Sequence, residues 1–223
     1  MQIILTSDGT HTIFDEARNE IYHSRAGAAA ESEHVFINAG FVPKIAQKSE
    51  INILEVGFGT GLNLFLSAVA HQKYFSSKKV SYTGIENFPL RADIIKDLNF
   101  GNLIENGKLV LTFEQIHEAA WGEEFNLHKN FSAKKKCVSL QDFQDEGVFD
   151  LVFFDAFSPE KQPEMWELPL FEKIYAMTAE GGFLVTYCAK GMVKRTLRAA
   201  GFRVETLPGP PRKREMIRAV KDE

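Results

Sequence analysis

The segment Glu55-Val56-Gly57-Phe58-Gly59-Thr60-Gly61 combines an acid with three alternating glycines. Glycines let a chain turn sharply and approach a ligand with no Cβ in the way. The helix that follows offers free N–H groups to whatever sits there. A dinucleotide site would use G-x-G-x-x-G, with the helix end aimed at a pyrophosphate. Here the spacing of Gly57, Gly59 and Gly61 is G-x-G-x-G, and Glu55 stands before it. A carboxylate repels phosphate and suits the ammonium of a methionine moiety, so the loop favours S-adenosylmethionine over NAD. Glu86 closes Tyr82-Thr83-Gly84-Ile85-Glu86, 25 residues beyond Gly61. An acid at that separation, near the ~20 of nucleotide-binding βαβ units, can accept hydrogen bonds from both ribose hydroxyls. Asp142, after Cys137-Val138-Ser139-Leu140, is placed to meet the adenine amino group.

A second constellation is Phe153-Phe154-Asp155-Ala156-Phe157-Ser158-Pro159. In open α/β sheets ligands lie beyond the carboxyl ends of strands, so Asp155 points to the reactive end of the cofactor. Phe157 and Trp166 follow and are expected to sandwich a flat ring, as single bases are held. Tyr187, at the end of a later strand, lines the same pocket in this reading. Lys190, Lys194, Arg195 and Arg198 fall on one helix, and Arg212, Lys213 and Arg214 cluster near the last strand. Such residues suit phosphates. The histidines show no metal-ligand spacing such as H-E-x-x-H, so no metal is expected.

The elements that must position these groups alternate. Ile51–Val56, Val80–Glu86, Val148–Asp155, Phe183–Tyr187, Phe202–Thr206 and Glu215–Val220 read as strands. Leu62, Phe65, Leu66 and Val69 mark an amphipathic helix, and Pro89–Leu98, Leu170–Met177 and the segment around Met192–Leu197 read as helices. The expected fold class is α/β: a Rossmann-like class I methyltransferase with a mostly parallel seven-stranded sheet and helices on both faces. Residues 1–223 read as one domain, with an N-terminal extension over about residues 1–48 packed on the core. Residues 100–147 carry the weakest pattern. The 44% hydrophobic and 25% charged fractions are those of a globular protein. A net charge of −4 argues against nonspecific coating of nucleic acid and leaves room for a local basic patch. Two distant cysteines, no signal peptide and no apolar run of the ~18 residues a membrane span needs point to a reduced, cytoplasmic protein.

Taken together, the motifs resemble a known family. Asp155-Ala156-Phe157-Ser158-Pro159, Pro163-Glu164-Met165-Trp166 and Arg212-Lys213-Arg214-Glu215-Met216 are similar to the methyltransferase domain of the tRNA-modifying MnmC family. Glu55 through Asn63, Thr6-Ser7-Asp8-Gly9-Thr10 and Tyr22-His23-Ser24 fit the same domain. The resemblance implies transfer of a methyl group from S-adenosylmethionine to the amine of 5-aminomethyl-(2-thio)uridine at the tRNA wobble position. It implies Asn63 in the cofactor site and the Arg212–Arg214 cluster on tRNA. On chemical grounds Asp155 is expected to orient the amine and receive its proton. The expectation is a stand-alone version, since 223 residues leave no room for the oxidase domain of bifunctional members. A separate enzyme would then supply the amine. Residues 124–136, with Lys134-Lys135-Lys136, match no part of the family pattern, and Gly209-Pro210-Pro211 is poorer in glycine than that pattern. Two rivals fit less well. An aminopropyltransferase would need acids for a free polyamine and no basic cluster. A non-catalytic RNA-binding module would have no need of Glu55, Glu86 and Asp155.

Overall fold

The computed structural model describes residues 1–103, 113–144 and 147–223. It opens with a small antiparallel sheet of β1 (Gln2–Leu5), β2 (His11–Asp15) and β3 (Glu20–Ile21). A helical run follows: α1 (Ala28–Ser32), a π-wound stretch (Glu33–Phe41) and α2 (Val42–Gln47). Next come β4 (Glu50–Val56), α3 (Leu62–Ala70), β5 (Lys79–Glu86), α4 (Ala92–Lys96) and α5 (Phe113–Glu118). The hairpin β6 (Glu124–His128) and β7 (Phe131–Cys137) leads to β8 (Phe149–Phe154) and α6 (Leu168–Met177). The chain closes with β9 (Thr178–Thr186), α7 (Gly191–Ala199), β10 (Arg203–Pro208) and β11 (Glu215–Val220).

The main sheet runs β10-β11-β9-β8-β4-β5-β7-β6. Neighbours among β9, β8, β4, β5 and β7 pair in parallel, whereas β6, β11 and β10 pair antiparallel. This is the expected class, with eight strands where seven were expected. The additional strand, β6, lies within residues 124–136, where the sequence reading assigned no element. That stretch also contains β7, an inner strand of the sheet. Phe131, Ala133 and Lys135 alternate inward, and Lys135 occupies a position an apolar residue would normally take. Its ammonium donates to the Ile116 and His117 carbonyls at 2.7 and 3.3 Å. Burial lowers its pKa to about 8.

Every residue of β8 is buried, as its unbroken apolar run requires of a central parallel strand. From β4 the chain builds outward through β5 and β7, then returns to β8 on the other side of β4. That reversal opens a crevice at the carboxyl ends of the strands, where doubly wound sheets place ligands. Strand ends are level there: Val56 pairs with Ile85 and Phe154, and Glu86 with Cys137. Ile13, Val35, Phe36 and Phe41 belong to the same hydrophobic cluster as Ile53, Phe65 and Leu151, so the extension and the sheet share a core.

Asp8 ties the extension together. Its Oδ1 accepts from the Thr6 and Thr10 hydroxyls, both at 2.6 Å, and from the Thr10 N–H at 3.0 Å. Its Oδ2 accepts the Ala30 N–H of α1 at 3.0 Å, as a cap supplied from outside the helix. Burial opposes ionisation, and the bonds from Thr10, Thr6 and Ala30 outweigh it, leaving the Asp8 pKa below its usual value. Asp8→Ala is expected to lower unfolding free energy by about 1–3 kcal/mol in urea denaturation near neutral pH. The difference should shrink as acid protonates the wild-type carboxylate, because a lowered pKa contributes stability that is lost as pH falls.

Candidate active site

The crevice is a cavity of about 830 Å³. The glycine loop forms its floor. Gly57 has φ +87°, and a Cβ there would stand 2.6 Å from the Asp155 carbonyl oxygen, so a side chain would wedge β4 and β8 apart. Gly59 has φ +49° and faces open cavity on one side and the Tyr22 ring on the other. Its N–H donates to Glu86 Oε2 at 3.0 Å, and the Phe88 N–H donates to Oε1 at 2.9 Å. Glu86 thus lies across the mouth of the loop with acceptor capacity left for ligand hydroxyls. Val138, Leu140 and Asp142 line the neighbouring wall, and Asp142 accepts the Ser139 hydroxyl at 2.7 Å.

Asn63, in the first turn of α3, binds the two strand ends together. Its Nδ2 donates to Glu55 Oε1 and to Asp155 Oδ2, each at 2.9 Å, while its Oδ1 accepts the Ser32 hydroxyl. Glu55 is fully buried and lies behind the loop, outside the cavity lining. The expectation of a direct ammonium contact is therefore corrected: Glu55 acts on the cavity through Asn63. Burial raises its pKa well above the usual value, and Asp155 and Glu86 add to that while Asn63 and Tyr82 oppose it. Its Oε2 is one buried acceptor that no described group satisfies at full hydrogen-bond geometry. Asp155 does face the cavity. Burial, then the nearby Glu31 charge, pushes its pKa up to about 7, against the pull of Asn63 and Lys213.

Phe157 lines the cavity, edge-on to Tyr22 at 5.0 Å. Trp166 does not, so the expected aromatic sandwich is corrected. It is 1% exposed, packed edge-on against Phe154, and its indole N–H donates to the Phe157 carbonyl at 2.8 Å. Its bulk goes to the core, and its polar tip fixes the loop that carries Phe157. Tyr187 lines the cavity as expected and donates its hydroxyl to the Ala156 carbonyl at 2.9 Å. The basic cluster divides: Lys213 turns inward, whereas Arg212 and Arg214 are exposed. Arg212 takes the turn position after Pro210-Pro211 at φ +68°. On α7, Lys194 pairs with Glu215 at 2.6 Å, while Arg195 and Arg198 face outward.

The extension supplies residues with no motif of their own. Arg18 places its guanidinium 5.3 Å from the Phe88 ring centre and 5.5 Å from that of Phe157, across the cavity. Glu31 bonds Lys213 and the Ser24 N–H. His23 sits between the Thr12 and Thr60 hydroxyls, and burial lowers its pKa to about 4, so it stays neutral. No motif in the sequence marked Glu31, whose partner Lys213 is 182 residues away.

The donor set fits S-adenosylmethionine: a glycine cradle that a Cβ would fill, Glu86 for hydroxyls, and carboxylates in place of phosphate receptors. Comparison with known proteins agrees. Residues 106–222 match the family described as S-adenosyl-L-methionine-dependent methyltransferase, and the chain belongs to that family. It is 32% identical over 237 residues to a Pseudoalteromonas atlantica protein named tRNA 5-methylaminomethyl-2-thiouridine biosynthesis bifunctional protein MnmC. That match covers 98% of this chain and 33% of the relative. A Leptospira interrogans protein of the same name is 32% identical over 222 residues, covering 96% and 34%. The chain thus spans about a third of the length of the curated relatives it matches. The crystal structure of MNMC2 from Aquifex aeolicus superposes with a TM-score of 0.79 at 26% identity, covering 98% of this chain and 69% of that one. Among the described residues no helix is long and apolar enough to cross a membrane, and no group of three or more metal-ligating side chains is found.

Glu86→Ala is expected to weaken binding of S-adenosylhomocysteine about 10- to 100-fold by calorimetry, the range of hydrogen bonds to a charged group. The Asp155 pKa also has a stability consequence. A carboxyl raised from 3.8 to about 7 costs stability as pH climbs through that interval. Asp155→Asn should therefore be more stable than wild type by about 1–3 kcal/mol near pH 8, with the gain gone near pH 4.

Proposed function

We propose that this protein is an N-methyltransferase that converts 5-aminomethyl-(2-thio)uridine to 5-methylaminomethyl-(2-thio)uridine at the tRNA wobble position, in the cytoplasm. The observation that carries the reading is Asp155: a carboxylate facing the cavity, held by Asn63, with its pKa near 7. The names of the relatives supply the substrate class, and the family supplies the donor. We read residues 1–223 as one domain, and the amine as the product of a separate enzyme.

The chemistry supplied by S-adenosylmethionine is a methyl group on a positively charged sulfur, whose loss leaves a neutral thioether. Gly57, Gly59, Asn63, Glu86 and Asp142 would hold it, with Glu55 setting the Asn63 amide behind the loop. The protein then has two tasks, placement of the amine and removal of its proton. An alkylammonium has a pKa near ~10.4, and an ordinary aspartate near ~3.9, a mismatch of about 6 units. Raising Asp155 to about 7 halves that mismatch. It makes the carboxylate a competent acceptor for the amine proton, and Asn63 holds its Oδ2 in place. Phe157, edge-on to Tyr22 in the cavity wall, would pack against the base. Arg212 and Arg214, exposed on either side of Lys213 in sequence, would meet backbone phosphates.

The test is incubation with labelled S-adenosylmethionine and tRNA from cells lacking the modification, followed by nucleoside analysis. Label is expected in 5-methylaminomethyl-(2-thio)uridine, and absence of label from tRNA despite donor binding would refute the reading. Asp155→Ala should lower kcat at least 100-fold with donor affinity within a few-fold of wild type. A rate within a few-fold of wild type would remove Asp155 from the proton's path.

A further inference from the structure

Where the cavity meets a shallower groove of about 450 Å³, one ammonium lies between a carboxylate and an aromatic face. Lys213 Nζ is 2.5 Å from Glu31 Oε1 and 4.2 Å from the centre of the Tyr187 ring. Both partners are fixed from the main chain. Glu31 Oε2 accepts the Ser24 N–H at 2.8 Å, and the Tyr187 hydroxyl is held by the Ala156 carbonyl. Glu31 is 8% exposed, so its charge needs a partner at all times. Lys213, Tyr187 and Ser158 line both the cavity and the groove, whose rim carries Lys190 and Arg214.

A carboxylate beside a tyrosine face is a recognition site for an alkylammonium. A lysine side chain ends in –CH2–NH3⁺, the same group that an aminomethyl-uridine presents. We propose that Glu31 and the Tyr187 ring are the seat for the substrate's aminomethyl group, and that Lys213 fills this seat until the substrate arrives. The inference rests on the amine substrate of the preceding section. Exchange of one primary ammonium for another keeps Glu31 paired throughout, so entry of the substrate leaves no buried charge exposed. The displaced lysine has the groove beside it, where a phosphate of the same RNA would receive it. The seat lies next to Asp155, whose pKa responds to both Glu31 and Lys213, so the arriving amine stands beside the group that is to take its proton. Lys213 and the Tyr187 ring line the groove as well as the cavity, and that open side assigns the seat to the polymer substrate and not to the amino group of the donor.

Self-occupancy lowers apparent affinity by the fraction of time the seat is free. The experiment is calorimetry with the nucleoside 5-aminomethyluridine, with uridine as control, on protein saturated with S-adenosylhomocysteine. Lys213→Met is expected to bind the aminomethyl nucleoside about 10-fold more tightly than wild type. Lys213→Gln should shift affinity in the same direction by less. Glu31→Gln should weaken binding at least 10-fold. Uridine should respond to none of these changes. Unchanged or weaker binding by both Lys213 variants, while they still bind S-adenosylhomocysteine, would overturn the proposal. So would a Glu31→Gln variant that loses affinity for S-adenosylhomocysteine and keeps it for the nucleoside, since the seat would then belong to the donor. The tRNA assay judges the parent reading separately. Wild-type transfer to tRNA with no nucleoside response in any variant sinks the seat alone, and absence of transfer sinks the function.

Discussion

One side-chain amide holds the centre of this molecule together. Asn63 donates both of its Nδ2 protons to carboxylates, one from the end of β4 and one from just beyond β8, and accepts a hydroxyl from α1 through its oxygen. Each carboxylate would repel the other across the sheet if the amide were absent. Asn63 can reach both because Gly61, at φ +74°, starts α3 abruptly and sends its first turn back over the strand ends. The same glycine geometry therefore builds the cradle and stations the amide. The cavity wall that results is rich in acids, with Glu31, Glu86 and Asp155 on it. Acids at the glycine loop attract a cationic donor, with Glu86 bonded to the Gly59 N–H, which is the electrostatic reason for a sulfonium at this fold's switch point.

The N-terminal residues are part of that site. Arg18, residues 20–25 and Glu31 all line the cavity. They contribute a cation between two rings (Arg18), a neutral imidazole linking two hydroxyls (His23), and a buried acid (Glu31). A bare doubly wound sheet has an open crevice. Here Asp8 fixes the extension by bonds to its own turn and to α1, so the cover is positioned by local hydrogen bonds as well as by the shared core.

What could be read from the sequence was set by how local the signal is. The glycine loop, Glu86 and Asp155 each lie next to a strand with a clear apolar run, so their place in the crevice followed from chain order. Apolar runs in β4, β8 and β9 marked the parallel core for the same reason. β7 was missed because its inward positions include Lys135, so a charge interrupts the apolar alternation that marks a strand. Its burial is made possible by two carbonyls at the end of α5, and contacts that distant leave no trace in a local pattern. Trp166 and Glu55 fell in the right motifs and were given the wrong exposure, since a motif fixes order along the chain and not which side chain faces the void. Glu31 and Arg18 escaped notice because their partners, Lys213, Phe88 and Phe157, are remote in sequence. The π-winding of residues 33–41 has no sequence signature; Gly40 within it lets the helix approach Phe153 and Val185, where a Cβ would be 3.0 Å from each.

The buried Lys135 gives the sheet an internal chemical reporter. Its neighbours Lys134 and Lys136 lie half-buried on the opposite face of the same strand, while Lys135 is 1% exposed and donates to the main chain at the end of α5. An acylating or reductively methylating reagent therefore meets three adjacent lysine amines of unequal access. Labelling at the middle position requires β7 to part from α5, so the ratio of the three adducts on a single peptide registers opening of this edge of the sheet, with the outer two serving as its built-in calibration.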